Sequence, residues 1–402
     1  MDHALVTGVE KALGWEGPGG LGHFARGTLP DPALAGRLLT PDRLLDLLMR
    51  RSLEPPQVRC FGDGQELHPN AYTTADVTSR GQSVRLVHMH RLAGLLRRGT
   101  TVILDRANLF DPTLEVACRA VQWWSGERVS ANLYLTTHGA DGFGMHWDDH
   151  DVLAVQLSGE KDWEVRGPSR QAPLFRDAAR NDQVSEDVVW AGTLRAGDVL
   201  HIPRGYWHQA GRGGLGAGHS LHMTLGFTTR TGAGWLSWLA DWSRENELFR
   251  RDLLRRATPE QERAQHRELA AAAGRLIDSR SPAAFLAARE QDAAPPRHVP
   301  FLGLSGPLES VVCVSEFPPR IVERGQTVEV LGAGKRLTFT ARALPALRLL
   351  LSGRPVPLEP AAGLVGAEVR TLAEILVEEE LCAPLTPELS SGYTGLVTNA
   401  AC

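Results

Sequence analysis

The feature that most constrains this chain is a pair of segments about fifty residues apart. The first is Met145-His146-Trp147-Asp148, and the second is Gly197-Asp198-Val199-Leu200-His201-Ile202-Pro203-Arg204-Gly205-Tyr206-Trp207-His208. On a strand, side chains alternate faces, so a His and an Asp two apart point the same way. A second His delivered by a later strand completes two imidazoles and one carboxylate on one side of a metal, with the remaining positions open. The second segment also has a mechanical logic. Gly197-Asp198 turns the chain, Val199-Leu200-His201-Ile202 fills a barrel strand, and Pro203-Arg204-Gly205 bends it so that His208 faces the interior. A His-x-Asp pair alone is common by chance in a chain with 14 histidines, so the joint occurrence carries the reading.

The surrounding texture agrees. From Val129 onward the chain reads as short strands (131–135, 152–157, 162–165, 199–202, 220–225) separated by Gly, Pro and Asp turns, the pattern of a sandwich or small barrel. The first hundred residues read as an α+β lead-in. Thr40-Pro41-Asp42 starts a helix, 83–98 reads as a second amphipathic helix with Ser83 as cap, 101–104 as a buried strand and 111–124 as a helix. Past Gly234 the strands stop, and 235–290 carries helical periodicity with Thr258-Pro259-Glu260-Gln261 as a helix start. A linker holding Pro295-Pro296 precedes a third region, with a hairpin expected at 327–340 and helices at 342–351 and 369–380. The expected fold class is therefore α+β, divided at 1–234, 235–296 and 297–402.

Charge and cysteine content exclude several classes. The chain has 402 residues, 22% of them charged, and a formal net charge of -4. That argues against a sequence-independent nucleic-acid binder, which needs a basic face to displace counterions. The five cysteines (Cys60, Cys118, Cys313, Cys382, Cys402) show no CxxC spacing, which fits neither a disulfide framework nor a zinc knuckle and suits a reducing compartment. The first twenty residues hold no apolar signal region, and no window approaches the about 18 uninterrupted apolar residues of a membrane-spanning helix. A cytoplasmic location without membrane contact is expected.

Two histidines and one carboxylate with open positions are the ligand set of non-haem Fe(II) oxygenases. Residues 130–134, 146–152, 156–163 and 197–208 resemble the cupin-4 branch of JmjC-domain oxygenases, whose characterised members are ribosomal oxygenases. The resemblance is specific across about 132–227 and rests on domain order over the flanks. It implies a double-stranded β-helix (cupin/JmjC) barrel, a helical dimerisation segment making a homodimer, and a small C-terminal winged-helix-like domain. It also implies Fe(II) as cofactor, 2-oxoglutarate and O2 as co-substrates, and a protein or peptide substrate hydroxylated on an Arg or His side chain, such as a ribosomal protein.

By the same resemblance His146, Asp148 and His208 are the iron ligands. Lys161, thirteen residues after Asp148, matches the basic residue that holds the distal carboxylate of 2-oxoglutarate, in keeping with the need of a buried ammonium for an anionic partner. Asn132 and Tyr134 match pocket residues, Thr224 a helper in 2-oxoglutarate binding, and His222 a further pocket residue or a core histidine. Asp149, His150 and Asp151 read as supporting or turn residues. The glycine-rich stretch 209–219 is longer than the family pattern and reads as a flexible hairpin at the barrel mouth. No GKS/T follows it, so phosphate binding is not expected.

Rival readings remain open at this point. A non-catalytic metal-binding cupin should show a broken triad, and here all three positions are intact. A DNA-binding regulator could use the C-terminal region, but beyond Pro300 eight Lys and Arg face eleven Glu and no Asp, the wrong sign for a phosphate-facing surface. Within the enzyme class the alternative is a tailoring hydroxylase of a peptide natural product. The apolar stripe Trp235, Leu236, Trp238, Leu239, Trp242 and Leu248 either packs within the chain or forms a twofold interface.

Overall fold

A single strand of 18 residues, Asp151–Pro168, organises the barrel. The sequence suggests two strands here with a glycine turn between them. The chain instead runs straight through, and Gly159 absorbs the distortion with φ +65°. A Cβ at that position would lie 1.9 Å from the His219 carbonyl oxygen, so both the backbone angle and the close approach require glycine.

The computed structural model describes residues 1–175, 182–228, 230–291, 297–300 and 306–397. The barrel strands are β1 (Ala25–Thr28), β2 (Val58–Gly62), β3 (Thr101–Leu104), β4 (Arg128–Thr137), β5 (Asp151–Pro168), β6 (Val188–Arg195), β7 (Asp198–Ile202), β8 (Tyr206–Gly211) and β9 (His219–Thr228). Their main order is β1-β7-β5-β9-β4-β3-β2, and β6 and β8 flank the second half of β5. The first half of β5 thus sits between β7 and β9, and its second half between β6 and β8, all antiparallel. One strand shared by two opposed sheets is the frame of a double-stranded β-helix. It also explains the near-continuous apolar run at 152–157. Leu153, Val155 and Leu157 join one core cluster and Val152 and Ala154 another, so both faces of the strand are covered.

The lead-in is part of this body. Leu5, Leu38, Leu44 and Leu48 share the main cluster with Leu133 and Met223, and β1 pairs with β7 from Ala25↔His201 to Thr28↔Asp198. Helix α1 (Pro112–Ser125) begins where the sequence places it. Asp111 caps it by accepting from the Thr113 and Leu114 N–H groups (2.9 and 3.1 Å). The expected helix at 83–98 is only partly present. Ser83–Val87 is a strand paired with Thr73–Val77, and the helix is Met89–Arg98, capped by His88. Val84, Leu86 and Val87 serve a pleated pair as readily as a helix, and the cross-strand partner decided between them.

Past the barrel come α2 (Gly232–Ser243), α3 (Pro259–Ser279) and α4 (Pro282–Gln291), with Thr258 and Gln261 forming a capping box. Much of the tryptophan stripe packs within this segment. Trp238 meets Trp242 and Phe285, Trp235 Nε1 donates to the Arg280 carbonyl (2.9 Å), and the Arg280 guanidinium lies over Trp242. Leu236 stays 54% exposed.

The C-terminal region has its own core, including Val311, Val330, Leu347, Leu350 and Leu376. Its central strand β10 (Ser310–Cys313) pairs with β11 (Cys382–Pro384), and the expected hairpin stands at Thr327–Gly332 and Lys335–Thr340. It is hooked to α1, since Gln122 and Trp123 donate to the Glu316 and Ser315 carbonyls (2.6 and 3.0 Å) and Arg119 to the Tyr393 hydroxyl. Pro295, Pro296 and Cys402 lie outside the described residues. No helix among the described residues is long and apolar enough to cross a membrane.

Gly159→Ala should lower the urea-unfolding free energy by about 2 kcal/mol or more, because β5 and His219 cannot both keep their places. An unchanged midpoint would remove Gly159 as the pivot of β5.

Candidate metal centre and its cavity

His146 and Asp148 do not lie on a strand, contrary to the alternation argument. They belong to an irregular segment that touches the sheet through two isolated bridges, Asp141 opposite Gly211 and His146 opposite His208. His146 N–H donates to the His208 carbonyl (3.0 Å), and His208 N–H donates back (2.7 Å). The Gly205 N–H donates to the Asp148 carbonyl at 2.9 Å, and Gly205 has φ +82° with no room for a Cβ beside Pro173. The pairing brings the two imidazole centroids to 4.3 Å, and His208 Nε2 lies 3.6 Å from Asp148 Oδ2. One ligand atom from each of His146, Asp148 and His208 falls within 4.8 Å of the others.

The local hydrogen bonds suit these rings to metal binding. His146 Nδ1 faces the Gly144 carbonyl at 2.8 Å and His208 Nδ1 the Tyr206 carbonyl at 3.1 Å. A carbonyl can only accept, so each Nδ1 carries the proton and each Nε2 keeps its lone pair. Burial, and then the neighbouring His146, pull His208 down to about 4, which keeps it in the neutral form that ligates. Two imidazole nitrogens and one carboxylate at this spacing can hold a divalent transition metal.

Asp151 holds the turn that precedes His208. Its carboxylate accepts from the Arg204 N–H (2.8 Å) and the Gly22 N–H (2.7 Å), and His201 Nε2 lies 3.3 Å away. Burial works against the carboxylate, yet these partners keep its pKa below the ordinary value. His150 lines the cavity and contacts Asp149 at 3.4 Å. The supporting roles expected of 149–151 therefore fall most clearly on Asp151.

The triad opens on a cavity of about 380 Å³ that also holds the other predicted residues. Asn132 and Tyr134 on β4 are direct cross-strand partners of Thr224 and His222 on β9. Tyr134 stacks flat on His222 with centroids 4.7 Å apart. Burial pushes the Tyr134 phenol up to about 12, although Thr224 and Asn132 hydrogen-bond to it. His222 is driven well below its ordinary value by burial and by Lys161, and its Nδ1 is buried without a partner.

Lys161 is the most unusual group in the cavity. Only 2% of it is exposed, and its ammonium donates to the Thr136 hydroxyl at 3.1 Å. No carboxylate among the described residues forms a salt bridge with it. Burial, and then Arg212, pull it down to about 7. A buried amine with one neutral acceptor fits the end of an anionic ligand, and the unpartnered His222 nitrogen offers a second polar contact.

The glycine-rich 209–219 stretch is not the flexible hairpin expected. It connects the two sheets, and Arg212, 2% exposed, pins it by donating to the His138, Glu160 and His219 carbonyls. Sequence reasoning missed Arg59, Phe143, Thr136 and Trp163. Arg59 arrives from the lead-in and is clamped by Asp105 (2.7 and 3.2 Å). Phe143 packs on Phe61 and His146. No local signal marks either residue. Trp163 lies within the 156–163 stretch that carries the family resemblance, which is such a signal.

The fold and donor set define a cupin-type barrel with a two-histidine, one-carboxylate site. Residues 109–234 match the JmjC domain family model. It is 32% identical over 189 residues to the bifunctional lysine-specific demethylase and histidyl-hydroxylase NO66 of Caenorhabditis briggsae, covering 44% of this chain and 23% of that protein. It is 33% identical over 148 residues to ribosomal oxygenase 1 of Gallus gallus, covering 34% and 25%. The chain thus spans about a quarter of the length of these curated relatives. In overall fold it is similar to the ribosomal oxygenase YcfD of Escherichia coli in complex with cobalt and 2-oxoglutarate. That match has a TM-score of 0.52 and 18% identity, and covers 86% of this chain and 90% of that one.

Lys161 should cost the metal-free protein stability. Its folded-state pKa of about 7 lies below the ordinary 10.5, so the cost is complete below pH 7 and fades as pH rises toward 10.5. Lys161→Met should therefore melt a few degrees higher at pH 6.5, with the gap narrowing by pH 9.5. A gap that is absent or independent of pH in thermal scans would contradict the assignment.

Proposed function

We propose that this protein is an Fe(II)- and 2-oxoglutarate-dependent oxygenase that hydroxylates an amino-acid side chain of a protein, with a ribosomal protein as the favoured substrate. The observation that carries the reading is the placement of a buried Lys161, with no salt bridge to any described carboxylate, in the same cavity as the His146, Asp148 and His208 donor set. When bound, the metal and 2-oxoglutarate supply the O2-activating chemistry that inserts oxygen into a C–H bond with release of CO2 and succinate. His146, Asp148 and His208 would hold the metal on one face. Lys161 would grip the far carboxylate of 2-oxoglutarate, and Tyr134 and His222, fixed by their stacking, would orient it. Asn132 and Thr224 would keep the Tyr134 hydroxyl in place, and Phe143 and Trp163 would exclude water.

The cavity favours an imidazole over a guanidinium as the target. Asp148 is the sole carboxylate among the described lining residues, and Arg59 and Lys161 line the same space. A guanidinium would be buried without a free anion, at a cost of several kcal/mol, whereas a neutral imidazole meets no such penalty. The histidyl-hydroxylase in the name of the NO66 relatives supports the same choice. We further propose that residues 235–296 form the homodimer contact, where Leu236, Leu253, Leu254, Ile277 and Leu286 remain exposed. The C-terminal region is proposed as a winged-helix-like accessory domain.

The test is incubation of Fe(II)-loaded protein with 2-oxoglutarate and isolated ribosomal proteins. Succinate should form, and a mass increase of one oxygen should map to histidine. Asp148→Ala should lose metal and turnover together. Lys161→Ala should keep its metal but need roughly ten- to a hundredfold more 2-oxoglutarate. Absence of succinate with any protein substrate would overturn the reading. Light scattering at micromolar concentration should give twice the chain mass, and a clean monomer would remove the dimer.

A further inference from the structure

Four of the five cysteines lie among the described residues, all buried and none in a disulfide, yet they differ in chemistry. Burial pushes the thiols of Cys60 and Cys118 up to about 12. Cys313 is as deeply buried, but a different set of neighbours surrounds it. Cys382 and the Ser315 N–H lie in hydrogen-bonding contact with it, its own Sγ reaches the Ser315 hydroxyl at 3.6 Å, and Arg119 adds positive charge. Together they outweigh burial and pull the Cys313 thiol down to about 7, while contact with Cys313 and burial drive Cys382, whose thiol donates to the Leu350 carbonyl at 3.7 Å, well above its ordinary value. Cys313 is therefore the more readily deprotonated of the two, and Cys382 retains its proton.

The backbone sets the two sulfurs face to face. Cys313 on β10 and Cys382 on β11 are direct register partners. On either side of them, Val314 N–H donates to the Leu381 carbonyl (3.0 Å) and Leu385 N–H to the Ser310 carbonyl (3.0 Å). Hydrogen-bonded and non-hydrogen-bonded pairs alternate along antiparallel strands. Cys313 and Cys382 therefore occupy a non-hydrogen-bonded pair, where facing Cα atoms stand about 4.5 Å apart and side chains are closest. That lies within the range of about 4.4–6.8 Å that a disulfide spans. Cys382 and Ser315 also line a cleft of about 520 Å³ between α1 and the C-terminal region, which brings a small reagent to the Cys382 side of the pair.

We propose that Cys313 and Cys382 form a hydroperoxide-sensitive dithiol that closes to a cross-strand disulfide. The Cys313 thiolate attacks one peroxide oxygen, the O–O bond breaks, and water or an alcohol leaves after taking up a proton, so Cys313 becomes a sulfenic acid. The Cys382 sulfur then attacks the Cys313 sulfur. The S–O bond breaks, the departing hydroxyl takes the Cys382 proton, and water leaves as the S–S bond forms. Two thiols give up two electrons and one peroxide accepts them. The bond would fasten the strand that is hooked to α1 through Ser315 and Glu316. It does not depend on the chemistry of the metal cavity.

The experiment uses full-length Cys402→Ala protein, reduced and kept with a chelator, treated with one equivalent of hydrogen peroxide and digested without reductant. The expected product is a Cys313–Cys382 disulfide, lighter by two hydrogens, forming at least tenfold faster than any oxidation at Cys60 or Cys118. Native alkylation by iodoacetamide should reach Cys313 at a lower pH than those two, a readout that needs no variant in the pair. In Cys382→Ala, peroxide should leave a sulfenic acid on Cys313 that dimedone traps. Oxidation of Cys313 no faster than that of Cys60 and Cys118 would overturn the proposal. So would accumulation of sulfinic acid on Cys313 with Cys382 unchanged.

Discussion

Two main-chain hydrogen bonds between His146 and His208 hold the site together. They join an irregular segment to the start of β8, and every ligand position follows from that junction. The imidazoles meet because their backbones are direct partners, and Asp148 is carried along two residues further on. The Gly205 N–H catches the Asp148 carbonyl, so the turn and the ligand segment close on each other. Each ring is locked by a carbonyl close in its own sequence, which leaves few rotamers to select.

A second theme is that burial holds the cavity's ionisable groups near neutrality. Tyr134 is kept protonated, His222 unprotonated, and Lys161 is brought to the edge of losing its charge. None of the three forms a salt bridge with a described carboxylate, although Asp141 partly offsets the shift at Lys161. An anion entering beside Lys161 reverses the balance, because the ammonium then gains the partner that the barrel does not supply. The site is electrostatically incomplete on one side only, and that asymmetry gives the cavity its direction.

Much of this was legible in the sequence because it depends on short spacings. The turn glycines, the strand ahead of His208, the alternation that pairs Asn132 with Tyr134 and His222 with Thr224, and the Thr40, Asp111 and Thr258 caps are all local signals. Features set by distant contacts were not legible. Ser83–Val87 became a strand because Thr73–Val77 lay beside it, and β6 has too little apolar alternation to announce itself. Arg59 enters the cavity from a lead-in more than eighty residues before His146. The glycine-rich 209–219 stretch looked loose because nothing nearby in sequence shows that Arg212 reaches carbonyls on three separate segments.

The Asp151 carboxylate ties the site to the first quarter of the chain. One oxygen takes the Arg204 N–H beside the ligand turn, and the other takes the Gly22 N–H. Three residues past Gly22, β1 begins its pairing with β7. The stretch that matches the JmjC domain starts at residue 109, but the unit that folds starts earlier. A fragment cut at that boundary would strip the edge of the barrel sheet, expose the apolar face that Leu5, Leu38 and Leu44 cover, and remove a donor from the carboxylate that steadies the turn before His208. The stretch set by similarity is therefore smaller than the stretch needed for stability, and the difference is a layer of chain whose chemistry is silent and whose packing is indispensable.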